Sequence, residues 1–204
     1  MTKFHSLTTI KLRGKKVTAA VLKAFSKSLG QSNLREIILA DGSGHVKGSD
    51  NNLHQEIGNL IKCAPLLQVL SVPRGFPFHV LKTAVREARN GGDSLITTLV
   101  WPDTYLSSSF QDLVAFGSIF PEIVSLDIGG VSPAAFEAGV NICAMPRLRT
   151  LKISSLIRLI GGVHMSTETL GTFVSNLLRA CPILEHLDIS HGLLTHTSTH
   201  THNW

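Results

Sequence analysis

Cysteine is scarce in this chain: 204 residues contain three. A framework of disulfides is therefore excluded for a chain of this size. No Cys-x-x-Cys pair occurs, and neither does His-Glu-x-x-His, so the usual zinc and dithiol patterns are missing. No glycine loop of phosphate-binding type is written. No apolar run approaches the ~18 residues that a membrane helix needs. The first residues, MTKFHSLTTIKLRG, lack the continuous apolar stretch of a signal peptide, and no Asn-x-Ser/Thr sequon is present. These absences predict an intracellular chain, cytoplasmic or nuclear, with no membrane contact and no cofactor.

Acidic residues are missing from one end. Residues 1–35 hold eight lysines and arginines and no Asp or Glu, whereas the remainder holds eleven basic residues against fourteen acidic ones. The first part thus carries +8 and the rest −3, summing to the +5 of the whole. Such a patch fits an acidic partner or nucleic acid. Aromatics, however, make up only 6% of the chain, and only Phe4 and Phe25 stand among these charges, the latter on an apolar helical stripe, too few for a platform that stacks successive bases. Nucleic acid is accordingly the secondary reading.

What the sequence has in quantity is one repeated frame, apolar-x-x-apolar-x-apolar. It occurs at Leu7/Ile10/Leu12, Leu34/Ile37/Leu39, Leu67/Leu70/Val72, Ile96/Leu99/Trp101, Ile123/Leu126/Ile128, Leu148/Leu151/Ile153 and Leu184/Leu187/Ile189. Successive frames start 27, 33, 29, 27, 25 and 36 residues apart, a spacing that marks a stacked repeat architecture. Between frames lie helical stripes: Val17, Val21, Leu22, Phe25 and Leu29; Ile57, Leu60 and Ile61; Leu81, Ala84, Val85 and Ala88; Phe110, Leu113 and Val114; Leu170, Phe173 and Leu177. A proline stands two residues before the frame at Pro65, Pro121, Pro146 and Pro182. Proline disfavours helical geometry in the residue before it and so ends each helix there. Cys63, Cys143 and Cys181 sit near these prolines as small buried fillers.

The prediction is an α/β array of about seven irregular strand–helix units. Parallel strands covered by helices on both faces read as continuous apolar runs. Here the middle residue of the frame is often polar, as in Lys11, Ser71, Asp127, Lys152 and Asp188, which predicts a sheet with helices behind and water in front.

The variants CPILEHLDIS, MPRLRTLKIS, FPEIVSLDIG and APLLQVLSVP resemble the leucine-rich repeat, in particular its F-box-associated type. The resemblance runs from about residue 5 to residue 192. It implies a horseshoe solenoid over 1–192 with a parallel concave sheet, followed by a disordered Thr/His-rich tail over 193–204. It also implies a scaffold that recognises another protein, as the repeat part of a ubiquitin ligase recognises its substrate. The first frame begins at Leu7, so an F-box has no room inside this chain, which reads as a fragment of such a protein or as one whose ends a partner covers.

Alternation along each strand assigns the concave face to Lys11 and Arg13, Glu36 and Ile38, Val69 and Ser71, Thr98 and Val100, Ser125 and Asp127, Thr150 and Lys152, and His186 and Asp188. Pro73 continues the third of these rows. Exposed apolar residues among charges are how protein interfaces are usually composed. Arg74, Phe76, Phe78 and Tyr105, at the strand exits, are the candidate rim anchors, with Phe76 and Phe78 reading equally well as plugs of the core's rim. The tail histidines His196, His200 and His202 lack a fixed geometry, so no metal site is expected.

An esterase reading competes. Gly92-Asp93-Ser94-Leu95 resembles the GDSL signature, and Asp188-Ile-Ser-His191 resembles its Asp-x-x-His partner. Yet Ser94 follows the helical run LKTAVREARN and falls in the slot that proline fills in other units. Asp188 is likewise explained by the frame. The chain is therefore expected to be non-catalytic, without a small-molecule substrate.

Overall fold

The computed structural model describes residues 6–14, 17–29, 32–40, 51–73, 75–102, 116–128, 145–153 and 167–189. Among these residues are seven strands: β1 (Thr9–Arg13), β2 (Glu36–Ala40), β3 (Val69–Ser71), β4 (Thr98–Trp101), β5 (Ser125–Ile128), β6 (Thr150–Ile153) and β7 (His186–Asp188). Each lies on one of the seven frames. They pair in chain order into a single open sheet, and every pairing is parallel. The register carries the second apolar residue of each frame alongside that of the next, from Ile10 through Ile37, Leu70, Leu99, Leu126 and Leu151 to Leu187.

Among the described residues four full helices stand between strands, α1 (Ala19–Leu29), α2 (Asn51–Lys62), α3 (Phe78–Ala88) and α4 (Thr167–Ala180), and residues 116–119 are helical as well. Their apolar stripes are the ones read from the sequence. Leu22 and Leu29 of α1 are buried, as are Ile57, Leu60 and Ile61 of α2, Leu81, Ala84 and Val85 of α3, and Leu177 of α4. The stripe at Phe110, Leu113 and Val114 lies outside the described residues. The buried strand and helix residues form one continuous core, so the fold is α/β with the sheet's inward face meeting the helices.

Two backbone devices hold the units in step. The first is a turn at the entrance to a strand. The amides of Leu67, Ile123, Leu148 and Leu184 donate to the carbonyls three residues earlier, at Ala64, Phe120, Met145 and Cys181. Each of those acceptors directly precedes a proline and is itself buried. Proline at the second position of such a turn brings its φ pre-set and has no N–H to satisfy. Where the slot holds serine, the hydroxyl takes over. Ser94 Oγ accepts the Ile96 amide at 3.1 Å, while Ser32 donates through N and Oγ to Cys63 O at 3.1 and 2.8 Å.

The second device is a row of shared carbonyls. Thr8 O accepts the amides of Arg35 and Glu36, and Arg35 O those of Gln68 and Val69. Gln68 O, Thr97 O, Val124 O and Arg149 O continue the pattern to Glu185 and His186. Every acceptor is the residue just before a strand, and every donor pair opens the following strand. A slip of one residue would break both bonds at that step and turn a whole strand inside out.

The middle of the core is aromatic. Trp101 Nε1 donates to Phe76 O at 2.9 Å. Phe78 stacks on Trp101 and Phe116 at centroid distances of 5.4 and 6.0 Å, and Phe116 meets Phe120 at 4.7 Å. After α3 the chain reverses through a left-handed Asn90 (φ 51°) and Gly91 (φ 84°), with Asn90 N bonded to Glu87 O and Gly91 N to Arg86 O, a Schellman stop. Gly58 lets α2 and α3 approach: a Cβ there would lie 3.3 Å from Val80 Cγ1.

Leu126, 3% exposed, sits mid-row. Leu126→Asp forfeits ~1.5–3 kcal/mol of burial and adds several kcal/mol for an enclosed carboxylate, against a typical domain stability of ~5–15 kcal/mol. Native-state hydrogen exchange should lose protection across β4, β5 and β6 together. Loss confined to β5 would show that the units do not share their core.

Candidate protein-binding face

The outward side chains form two aligned rows. One runs Thr9, Glu36, Val69, Thr98, Ser125, Thr150, His186, and the next Lys11, Ile38, Ser71, Val100, Asp127, Lys152, Asp188. All fourteen are at least partly exposed, whereas the inward residues of β2 to β6 are buried. At a strand spacing of ~4.8 Å the face is about 29 Å long. Arg13 extends it on β1, opposite Ala40.

Charge is sorted along this face. On β1 and β2, Lys11 Nζ lies 3.0 Å from Glu36 Oε1, and Thr9 Oγ1 donates to Glu36 Oε2 at 3.2 Å. On β5 and β6, Lys152 Nζ lies 3.6 Å from Asp127 Oδ2. At the strand entrances Arg147 pairs with Glu122 and Arg149 with Glu185. Pairs this exposed contribute ~0–1 kcal/mol each, so they orient groups more than they stabilise the sheet. Between them β2, β3 and β4 present Ile38, Val69, Ser71, Thr98 and Val100, a stretch without charge.

The rim differs from the sequence expectation. Of the two readings of Phe76, rim anchor and core plug, the second holds: it is 1% exposed and packs edge-on against His54 at 5.6 Å. Its carbonyl is held by Trp101, so it seals the core beneath the exit of β3. Phe78, at 8%, is core as well, and Pro73, expected on the outward face, is buried. The cause is the first helical turn of α3, which begins at Phe78 and leaves these rings only the inside. Arg74 and Tyr105 lie outside the described residues.

Of the esterase residues, Ser94 and Asp188 are not brought together. Ser94 is buried, and its hydroxyl is occupied by the Ile96 amide. Asp188 is exposed on β7, three strands from β4, or about 14 Å along the sheet. His191 lies outside the described residues. The cleft that Ser94 lines has an internal volume of ≈ 10 Å³, about enough for one water and far below the ~300–1,000 Å³ of common small-ligand sites. Among the described residues no cluster of three metal-ligating side chains occurs, and no helix is long and apolar enough to cross a membrane.

Two residues in this region escaped the sequence reading. Ser32 fills the turn slot ahead of the second frame, a position that the prolines already mark. Arg89 ties the end of α3 to its surroundings through Asp93 O at 3.0 Å and Pro65 O at 3.4 Å, and no sequence pattern signals it. The basic residues Arg13, Lys23, Lys27 and Arg35 are all exposed at the β1 end. Lys3, Lys15 and Lys16 lie outside the described residues.

No protein-family model and no curated protein matches the chain.

Both described cysteines are thiols, expected as fillers. Cys181 is 1% exposed, and Cys63 is half-buried with Sγ 3.7 Å from Ser26 O. Burial pushes the Cys63 thiol up from 9.0. Burial likewise pushes Cys181 up to about 11, with a Met145 backbone hydrogen bond opposing it. Below pH 9 the Cys181 thiol is protonated whether the chain is folded or not. Between 9 and about 11 the unfolded chain ionises and the folded one does not, so stability falls as pH rises through that window. Denaturant titrations from pH 8 to 11 should show this decline, and Cys181→Ala should lessen it. An unchanged slope in the variant would remove Cys181 as its source.

Proposed function

We propose that this chain is a non-catalytic leucine-rich repeat solenoid whose outward sheet face receives another protein. The observation that carries the reading is the sorted face: an uncharged patch on β2–β4, bounded on both sides by cross-strand ion pairs and aligned over seven strands. An apolar centre with a charged rim is the ordinary composition of a protein interface. The seven-fold frame and its one-sided burial support the solenoid, an architecture whose extended sheet commonly serves as a binding surface. The buried, occupied Ser94 hydroxyl supports a non-catalytic role. In line with the F-box-associated resemblance, the partner is a folded or extended protein segment presented for recognition, and the compartment is intracellular.

A second reading has its own support. Within the described residues 6–40, Glu36 is the only acid and is engaged by Lys11, while Arg13, Lys23, Lys27 and Arg35 are exposed. This end then attracts a polyanion, either nucleic acid or an acidic protein.

Ile38→Asp with Val100→Asp places two charges in the uncharged patch while leaving the inward rows untouched. The double variant should keep the parent's melting temperature within a few degrees and lose at least tenfold in affinity for whatever protein co-purifies with the parent, as truncation of central contacts does. Equal recovery by both proteins would end the proposal. For the second reading, retention on heparin should fall steeply with salt and weaken in a Lys23→Ala/Lys27→Ala variant. Salt-independent elution would dismiss it.

A further inference from the structure

Burial of the inward rows is not uniform along the sheet. In β2 to β6 and the turns before them the frame residues are at most 5% exposed. In the last unit Leu184, Leu187 and Ile189 are only partly buried, and in the first unit Leu7 and Leu12 are too. The two large apolar residues that stand exposed among those described, Leu178 at 51% and Ile183 at 41%, both belong to the last unit. Among the described residues, the part of the inward rows still open to cover is thus concentrated at the two ends of the sheet, and most of it at the β7 end.

The two ends are complementary. Along the shared-carbonyl row each step joins a carbonyl before one strand to the first two amides of the next unit. At the β7 end the corresponding acceptor is Glu185 O. At the β1 end the corresponding donors are the amides of Thr8 and Thr9. Bringing β1 of a second copy beside β7 repeats the step already made six times within the chain. The observed register then sets Asp188 against Lys11, because Lys152↔Asp188 and Lys11↔Ile38 occupy the same row. The signs on that row, Asp127, Lys152, Asp188, would continue in alternation with Lys11 of the added copy. Opposite charges directly across parallel neighbours favour that register, and like charges oppose others.

We propose that a second copy of this chain docks head-to-tail, with its β1 edge on the β7 edge. The contact covers the half-buried leucines of both end units, and Asp188 and Lys11 fix its alignment. Because the two surfaces differ, each added copy offers a new β7 edge, so association is open rather than limited to a closed dimer. This inference concerns the ends of the sheet and is independent of what the outward face binds.

Sedimentation velocity of the full chain from micromolar to near-millimolar concentration tests it. The parent should grow with concentration into a distribution of sizes. Asp188→Lys alone and Lys11→Asp alone should each weaken association about tenfold or more, since each sets like charges face to face. Mixing the two single variants should restore growth with concentration, in alternating copies, because both orders of contact between unlike copies set opposite charges at 188 and 11 face to face. Ile183→Lys, at a position already exposed, should weaken association without altering the fold, which covers the event that a charge variant misfolds. A parent that stays monomeric throughout overturns the proposal, and so does association that none of these substitutions weakens.

Discussion

Each strand of this sheet takes its position from the one before it, through a single carbonyl that holds two neighbouring amides. Thr8 O, Arg35 O, Gln68 O, Thr97 O, Val124 O and Arg149 O make that contact in succession. Strands of three to five residues are too short to enforce a register by their own length. The forked bond at each strand's entrance does so, and the inward apolar pair of every frame then falls into line. The core and the composition of the outward face both follow from that alignment. An unpaired amide or carbonyl enclosed at such an entrance would cost about as much as a lost hydrogen bond, so the row is also a strict condition on folding.

The turn slot shows how one geometric need admits different side chains. Proline meets it by lacking a donor and fixing φ. Ser94 meets it by accepting the Ile96 amide, and Ser32 by reaching across to Cys63 O. The residue before each proline, whether Ala64, Phe120, Met145 or Cys181, is buried in every case. Side-chain volume there varies widely, so the requirement is an apolar plug of whatever size the adjacent helix leaves room for. This accounts for cysteine at the slot in Cys181 as an apolar plug, in keeping with a thiol whose pKa burial raises.

Much of the fold was legible in the residues because two periods recur in them: two in the frames and about 3.6 in the stripes between. Those periods place Ile37 and Leu39 inward with Ile38 between them facing out, and they predict all seven strands and α1 to α4. The outward face followed from the same alternation. The rim did not. Phe76 and Phe78 follow a Pro-Arg-Gly turn, where no period extends, and their side is decided by the start of α3 and by the indole of Trp101 seeking an acceptor. Arg89 was likewise illegible, because its partners are backbone carbonyls that any residue type supplies. The pairing of charges across strands, Lys11 with Glu36 and Asp127 with Lys152, follows once the register is known and not before.

The distance between successive frames ranges from 25 to 36 residues, yet the pairing of strands never shifts. Alignment is thus carried by contacts local to each entrance. An ancestral gene encoding such a protein could duplicate or drop a whole segment, or lengthen one connection, while each surviving neighbour met the same chemical edge as before. Lineages built this way are free to change their length faster than their core.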